Sequence, residues 1–339
     1  MKYKHVVAVR AGGPEVLQVM ENDLRTPANN EVRIKVLASS VCRPDITART
    51  GKALYSGTPL EQKYPFVPGY AVIGIIDAIG QNASEAAVGQ CVGALTVVGS
   101  YSEYVYWRSD RLIPIPAELD PAQAVTLILN YIVAYQCMYR SVCVKKGDTV
   151  LIIGASGGIG TALMQLGQLA GLKMYGLASA AKHEVLRAHG VHPIDYHNQD
   201  FVSRMREAEP QGIQAVFDGM MRPQAIDGAL SLLKCGGCVV SYGEPAGFAD
   251  LFRVLRRMLT VNLLPNGKSL KLYGTSTYFI GDKKPFLEDW QTLFNLLQNG
   301  QINPVIAQKF PILEAAAANR LLEGGTVSGN LVLVNPILL

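Results

Sequence analysis

The residues with the clearest chemical use lie in Val150-Leu-Ile-Ile-Gly-Ala-Ser-Gly-Gly-Ile-Gly-Thr-Ala-Leu163. An apolar run enters Gly154, and Gly157, Gly158 and Gly160 follow before a helical pattern begins. Glycine permits the sharp turn and lets backbone approach a ligand closely, while a helix start offers free N–H groups and a positive dipole end. Strand, glycine turn and helix in this order are what a dinucleotide pyrophosphate needs. A glycine-rich turn without a ligand is the plain alternative.

The next strand pattern ends in Leu177-Ala-Ser-Ala-Ala-Lys-His183. A site for NAD carries an acid there, to hold the ribose 2′-hydroxyl. Here no acid precedes Glu184. Ser179 can donate to a 2′-phosphate and Lys182 can neutralise it, which favours NADP(H). An ordinary exposed lysine at a helix start is the alternative for Lys182.

Other reactive side chains carry less. Cys235-Gly-Gly-Cys238 spells CxxC, but no second pair exists, and the segment reads as a helix-to-strand turn with Cys238 opening the strand. His183, His189, His192 and His197 lack an i, i+4 ligand spacing beside an acid and read as surface residues. Arg253, Arg256 and Arg257 alternate with Leu251, Val254, Leu255, Met258 and Leu259. That pattern suits a covering helix or a subunit contact better than a membrane-surface helix.

The elements that must position these residues fall into two kinds. Before Pro121 the chain reads as β. Lys4–Arg10 and Glu31–Leu37 alternate, and Val67–Asp77 and Tyr101–Trp107 read as further strands, punctuated by glycine and proline. An irregular β-barrel-like unit is expected. From Pro121 on, strands expected at Asp148–Gly154, Lys173–Ser179, Ile213–Asp218, Cys238–Gly243 and Leu270–Thr275 alternate with helices at Gly158–Ala170, Lys182–His189 and Pro223–Leu233. Such alternation predicts a doubly wound parallel sheet. Helices at Pro285–Asn299 and Glu314–Leu322 and a strand at Gly329–Val334 complete the chain.

Composition bounds the rest. With 339 residues, 49% hydrophobic and 17% charged, the chain can build two cores and is not a disordered one. A net charge of +4 is too small to argue for nucleic acid. Six cysteines do not make a disulfide framework and point to a reducing, cytoplasmic setting. Val6–Val9 is too short for a signal-peptide core. The uncharged stretch Pro121–Tyr139 contains Gln123, Thr126, Asn130 and Gln136 and reads as buried helix, not a membrane span.

Taken in order, these segments resemble the medium-chain dehydrogenase/reductase superfamily, and within it the zinc-independent quinone oxidoreductases of the zeta-crystallin type. The resemblance covers nearly the whole chain. It rests on Ala11-Gly-Gly-Pro-Glu-Val-Leu17, Val41-Cys-Arg-Pro-Asp45, Pro68-Gly69, Leu129-Asn-Tyr-Ile-Val-Ala-Tyr135, the glycine turn, Ile194-Asp-Tyr196, Leu233-Lys-Cys-Gly-Gly237 and Leu321–Leu331. It implies an α/β protein in which a GroES-like β-rich catalytic domain (1–122 and 279–339) flanks a Rossmann domain (123–278). NADPH contacts are implied at Asn130, Val133, Ser156, Gly157, Gly158, Ile159, Gly160, Ser179, Gly243 and Asn330, with Lys182 and Tyr196 on the 2′-phosphate. The substrate pocket is implied at Cys42, Tyr64 and Tyr131. Tyr55 is the candidate proton donor or oxyanion contact, with a pocket-wall aromatic as its alternative role.

The resemblance also makes the metal question answerable. The alcohol dehydrogenase branch binds catalytic zinc through a Cys, a Gly-His-Glu and a later Cys or His. Here Cys42 holds the first position, Gly69-Tyr70-Ala71 the second, and the third falls near Asn130. One thiolate is not a zinc site, so no metal is expected. Only Cys91 stands where that branch carries a four-cysteine lobe. Many relatives carry Asn at the position of Cys42 and Thr at that of Val133, so those polar contacts are missing here.

Without zinc, hydride from the nicotinamide must meet a substrate that is already electrophilic, such as a quinone or an α,β-unsaturated carbonyl. The expectation is therefore NADPH:quinone or enone reduction, with a small-molecule partner, no nucleic acid and no membrane span. A reductase of saturated carbonyls fits less well without zinc. A non-catalytic or weakly catalytic NADPH-binding protein on the same fold is the alternative. Relatives of this kind pair the last Rossmann strand with its copy, so a homodimer through Leu270–Thr275 is expected.

Overall fold

The computed structural model describes residues 1–53, 62–83 and 86–339. The chain divides into two compact units, one of residues Met1–Leu129 and Asp282–Leu339 and one of Asn130–Gly281.

The first unit is built on β1 (Lys2–Ala8), β2 (Leu17–Asp23), β3 (Glu31–Val41), β4 (Ala71–Ile79), β5 (Cys91–Leu95), β6 (Tyr104–Arg108) and β7 (Ile113–Pro114). β1 and β2 form an antiparallel hairpin. The irregular β-rich unit expected here is, among the described residues, built around one mixed sheet of seven strands. With β14 (Ile306–Pro311) and β15 (Asn330–Val334), which come from the end of the chain, its order is β14-β15-β3-β4-β5-β7, with β6 also on β3. β3 is long because Val32, Ile34, Val36 and Ala38 all face the core, giving a clean period of two. Helix Arg43–Arg49 follows it directly.

The second unit holds β8 (Thr149–Ile153), β9 (Lys173–Ala178), β10 (Val191–Asp195), β11 (Ile213–Asp218), β12 (Leu233–Ser241) and β13 (Ser269–Leu272). All five pairings in this sheet are parallel, in the order β10-β9-β8-β11-β12-β13. β14 (Ile306–Pro311) and β15 (Asn330–Val334) belong to the first unit. The order reverses direction at β8, so the carboxyl ends of β8 and its neighbours form the switch point where ligands bind in doubly wound folds. Buried Leu151, Leu177, Val216, Val239 and Leu270 from five strands hold the sheet against its helices.

The stretch from Pro121 is buried helix, as its composition predicts, but not one regular helix. Residues Leu127–Tyr131 and Cys137–Val142 are wound as π-helix between α-helical turns. Cys235 lies in a bulge of β12 where the ladder to β11 skips from Leu233 to Cys238 and Gly236 takes φ +80°, so continuous pairing resumes at Cys238, as the sequence suggests. Cys235 is exposed and Cys238 buried, which separates the two thiols by environment. Among the described residues no helix is long and apolar enough to cross a membrane.

Candidate functional site

β8 delivers the chain into Gly154, which takes φ +84°, a region open to glycine at no steric cost. Helix Gly158–Leu169 begins three residues after Ser156's predecessor Ala155, with Gly157 as its N-cap. The Gly157 N–H donates back to the Gly154 carbonyl at 3.2 Å, and the Thr161 N–H to Gly157 at 2.8 Å. That leaves the amides of Gly158, Ile159 and Gly160 as the first-turn donors of the helix. A Cβ on Gly160 would overlap the carbonyls of Gly154 and Ala155, so helix and turn meet at backbone contact. At Gly157 a Cβ would meet only the Gly154 carbonyl, at 3.5 Å, so the space in front of this residue is open. Ser156 is buried beside it. The cradle fits a pyrophosphate, with backbone donors and room for close approach.

Parallel register brings the other candidates to the same edge. Ile153 pairs with Leu177 and Leu177 with Ile194, so Gly154, Ser179 and Tyr196 lie just past the ends of three adjacent strands. Ser179 caps a short turn, Ala180–Lys182, closed by the Lys182 N–H on the Ser179 carbonyl at 2.9 Å. Lys182 is half-buried, and Tyr196 is exposed with its ring 4.2 Å from that of His197. Asp195, the acid just before Tyr196, is turned back on its own loop. It accepts from the His197 N–H and the Asn198 amide, which hold its carboxyl below the usual range. A hydroxyl, a lysine and a tyrosine, with the nearby acid engaged elsewhere, suit a 2′-phosphate.

On the other side of β8, one residue absent from the sequence reading organises the loops. Asp218 ends β11 and is fully buried. It accepts from the Met220 N–H at 2.9 Å, the Met221 N–H at 3.1 Å and the Ser241 hydroxyl at 2.7 Å. Burial raises its pKa, and those hydrogen bonds oppose the rise. It thereby fixes the turn after β11 and ties it to β12. Gly243 follows, where a Cβ would come within 2.6 Å of the Gly219 backbone. An acid closing the apolar run Ile213–Phe217 and followed by Gly219 was the available signal.

The remaining candidates are mostly engaged by their own unit. Tyr131 is fully buried and its hydroxyl donates to Gln165 at 2.8 Å, which fastens the π-turn to helix Gly158–Leu169 instead of presenting a phenol outward. Val133 is buried on the following helix, and Asn130 is nearly so. In the first unit Asn330 opens β15 and donates its amide to the Val305 carbonyl at 2.9 Å. The Tyr64 hydroxyl reaches the carbonyls of Ala48 and Arg49 at 3.0 and 2.9 Å. Tyr55 lies outside the described residues.

Cys42 is the N-cap of helix Arg43–Arg49, and Asp45 at the third position reaches back to it in a capping box. Asp45 accepts from the Cys42 N–H at 2.8 Å, the Cys42 Sγ at 3.1 Å, the Tyr101 hydroxyl at 3.0 Å and the Gly69 N–H at 3.1 Å. Asn319 adds its amide to the Tyr101 hydroxyl at 3.4 Å. Burial outweighs these donors and pushes the Asp45 carboxyl up to about 6. Neither Asp45 nor Asn319 stands out in the sequence as a site residue, because only burial reveals the network. At the positions where zinc ligands would stand, Tyr70 and Ala71 offer no imidazole or carboxylate, and the Cys42 sulfur is committed to Asp45. Among the described residues no group of three or more His, Cys, Asp or Glu could hold a metal ion.

Known proteins match along the chain. Residues 28–117 match the alcohol dehydrogenase GroES-like domain, and residues 189–333 match the family described as zinc-binding dehydrogenase. Human quinone oxidoreductase is 29% identical over 333 residues, covering 95% of both chains. The rat synaptic vesicle membrane protein VAT-1 homolog is 34% identical over 219 residues, 64% of this chain and 53% of that protein. Among solved structures, the quinone oxidoreductase from Coxiella burnetii superposes with a TM-score of 0.83 at 25% identity, over 98% of this chain and 99% of that one. A mycobacterial protein complexed with NADPH gives 0.82 at 24% identity over 98% and 99%, a likeness of fold. With the GroES-like sheet, the interposed parallel sheet and the glycine turn in the shared order, the chain belongs to the medium-chain dehydrogenase/reductase superfamily and resembles its quinone oxidoreductases.

Proposed function

We propose that this protein is an NADPH-dependent reductase that delivers hydride to a quinone or an α,β-unsaturated carbonyl without zinc. One observation carries the reading. Ser179, Lys182 and Tyr196 stand past the ends of β9 and β10, beside the glycine turn, and Asp195, the acid next to Tyr196, is turned back on its own loop. The names of the relatives support the substrate class, and human quinone oxidoreductase is similar over 95% of both chains.

The chain's own residues would divide the work. First-turn amides at Gly158, Ile159 and Gly160 bind the pyrophosphate, and Lys182 neutralises the 2′-phosphate. Asp218 keeps the neighbouring loops in one shape. NADPH, when bound, supplies the hydride. A quinone or enone spreads the incoming charge onto its oxygen, so a single hydrogen-bond donor or water suffices to receive it.

A second reading, an NADPH-binding protein with weak turnover, draws on the engaged donors. The Tyr131 hydroxyl donates to Gln165, and the Cys42 thiol donates a hydrogen bond to Asp45. NADPH oxidation measured against quinones, enones and saturated carbonyls separates the readings. Turnover confined to the first two classes is expected. Tight NADPH binding without turnover of any substrate would favour the second reading, and preference for saturated carbonyls would overturn the first.

A further inference from the structure

Tyr242 stands just past the end of β12, between residues already placed at the candidate cofactor site. Its N–H donates to the Asp218 carbonyl at 2.9 Å, and Gly243 follows it. Its partly buried ring reaches back over the turn after β11. A Cβ on Gly219 would come to 3.1 Å from both Cε2 and the hydroxyl oxygen of Tyr242. Gly219 in turn donates its N–H to the carbonyl of Ile153, the last residue before Gly154, at 3.1 Å. The phenol therefore lies at the carboxyl edge of the parallel sheet, across the ends of β11 and β12 and one strand from the glycine turn.

The Tyr242 hydroxyl makes no hydrogen bond among the described residues. Tyr131, Tyr175 and Tyr273 in the same unit are each paired, with Gln165 at 2.8 Å, Glu209 at 2.7 Å and Gln136 at 2.7 Å. The Asp218 carboxylate beneath Tyr242 is already taken by Met220, Met221 and Ser241. A tyrosine packed into a protein usually finds a partner for its hydroxyl, so an unpaired one leaves a donor for a ligand. Burial raises this phenol well above its ordinary pKa, and the nearby Cys137 and Asp218 raise it further, so it stays protonated.

The other candidates give a bound dinucleotide its direction. The glycine turn after β8 suits the pyrophosphate, and Ser179, Lys182 and Tyr196 past β9 and β10 suit the 2′-phosphate of the adenosine half. The β11–β12 side of the crevice is left for the nicotinamide half. A neutral donor there matches a neutral acceptor, and the nicotinamide carboxamide carries a carbonyl oxygen. The cofactor is favoured over the substrate as that acceptor, because Tyr242 is built into the unit that carries the glycine turn, whereas Cys42 and Tyr64 belong to the other. On the cofactor reading above, we propose that the Tyr242 hydroxyl donates to the carboxamide carbonyl of the bound nicotinamide. It thereby holds the end of the cofactor that NADPH and NADH share.

Calorimetric titration of the full chain tests this. Tyr242→Phe removes only the hydroxyl, so the unfolding temperature should hold, because no bond inside the protein is lost. Affinities for NADPH and for NADH should each fall about threefold to tenfold, the range of one neutral hydrogen bond. Affinity for 2′-phospho-ADP-ribose, which lacks the nicotinamide, should not change. Wild type gives a second measurement. The thionicotinamide analogue of NADPH offers sulfur where the carboxamide has oxygen, so it should bind less tightly than NADPH, and Tyr242→Phe should close that difference. Unchanged NADPH affinity in Tyr242→Phe would overturn the proposal, and a lower kcat/KM for an enone alongside it would assign the hydroxyl to the substrate. An equal loss for 2′-phospho-ADP-ribose would also overturn it, since the phenol would then support the turn and not the nicotinamide. Wild type that binds neither NADPH nor NADH would end the cofactor reading itself, and this proposal with it.

Discussion

The Cys42 thiol and the Asp45 carboxylate meet at 3.1 Å inside the first unit, with the Cys42 N–H on the same carboxylate at 2.8 Å. Asp45 also anchors Tyr101 and Gly69, so one buried acid ties a helix start to two separate loops of the β-rich unit. Asp45→Ala leaves those donors without a partner and should cost about 3 kcal/mol or more of stability. The pH dependence has a definite sign. The folded carboxyl titrates at about 6, above its ordinary value, so the fold favours the protonated form. Its contribution is full below the ordinary carboxyl value, still mostly present at pH 4, and lost as pH rises through about 6, by on the order of 2–3 kcal/mol. Urea unfolding at pH 4 and pH 6.5 should show wild type losing this much relative to Asp45→Asn. A gap between the two proteins that did not change with pH would refute it.

Tyr70 and Ala71 at the positions of a His-Glu pair predict a metal-independent protein. Purified protein should carry well under one zinc per chain by elemental analysis and retain NADPH oxidation in chelator. One zinc per chain, with activity lost on chelation, would contradict the donor set.

How much of this was legible beforehand depended on where each element sits. β11 was readable to its last residue, because the apolar Ile213, Ala215, Val216 and Phe217 mark a central strand and Gly212 and Gly219 bound it. β10 was missed as a strand. Val191-His-Pro-Ile-Asp195 contains a proline, which reads as a break and is tolerated here because β10 is an edge. β13 is shorter than expected because the chain turns at Tyr273 into helix Thr275–Gly281. The glycine turn was visible from spacing alone. Asp45 and Asp218 were not, since an acid in sequence gives no sign that it is buried among donors.

Two glycines of the turn should behave differently. Gly160→Ala forces a methyl into the carbonyls of Gly154 and Ala155 and should destabilise the fold by about 1–3 kcal/mol, an overpacking cost. Gly157→Ala has room, at φ −75°, and should cost only about 0.5–1 kcal/mol, the preference of an N-cap for glycine over alanine. Its methyl would still stand where a pyrophosphate approaches, so NADPH affinity should fall about tenfold, roughly 1.4 kcal/mol. Thermal unfolding and NADPH titration of both variants check this. Unchanged affinity in Gly157→Ala would mean the turn does not meet the cofactor closely.

Lys182 should decide between the two nicotinamide cofactors. It follows Ser179 in a short turn at the end of β9, next to Tyr196 past the end of β10. NADPH and NADH differ only in the 2′-phosphate, so a residue that reads this group must act on one cofactor alone. Lys182→Ala removes a charged hydrogen bond and should weaken NADPH by about 1–3 kcal/mol, roughly tenfold to a hundredfold. NADH affinity should stay within a factor of two. The loss should shrink at high salt, because a half-exposed ion pair is screened. Lys182→Arg should keep most of the NADPH affinity, since the guanidinium retains both charge and donors. Fluorescence titration of both cofactors with the three proteins checks the set. Equal losses for NADPH and NADH in Lys182→Ala would show that the lysine supports the turn itself and does not contact the phosphate.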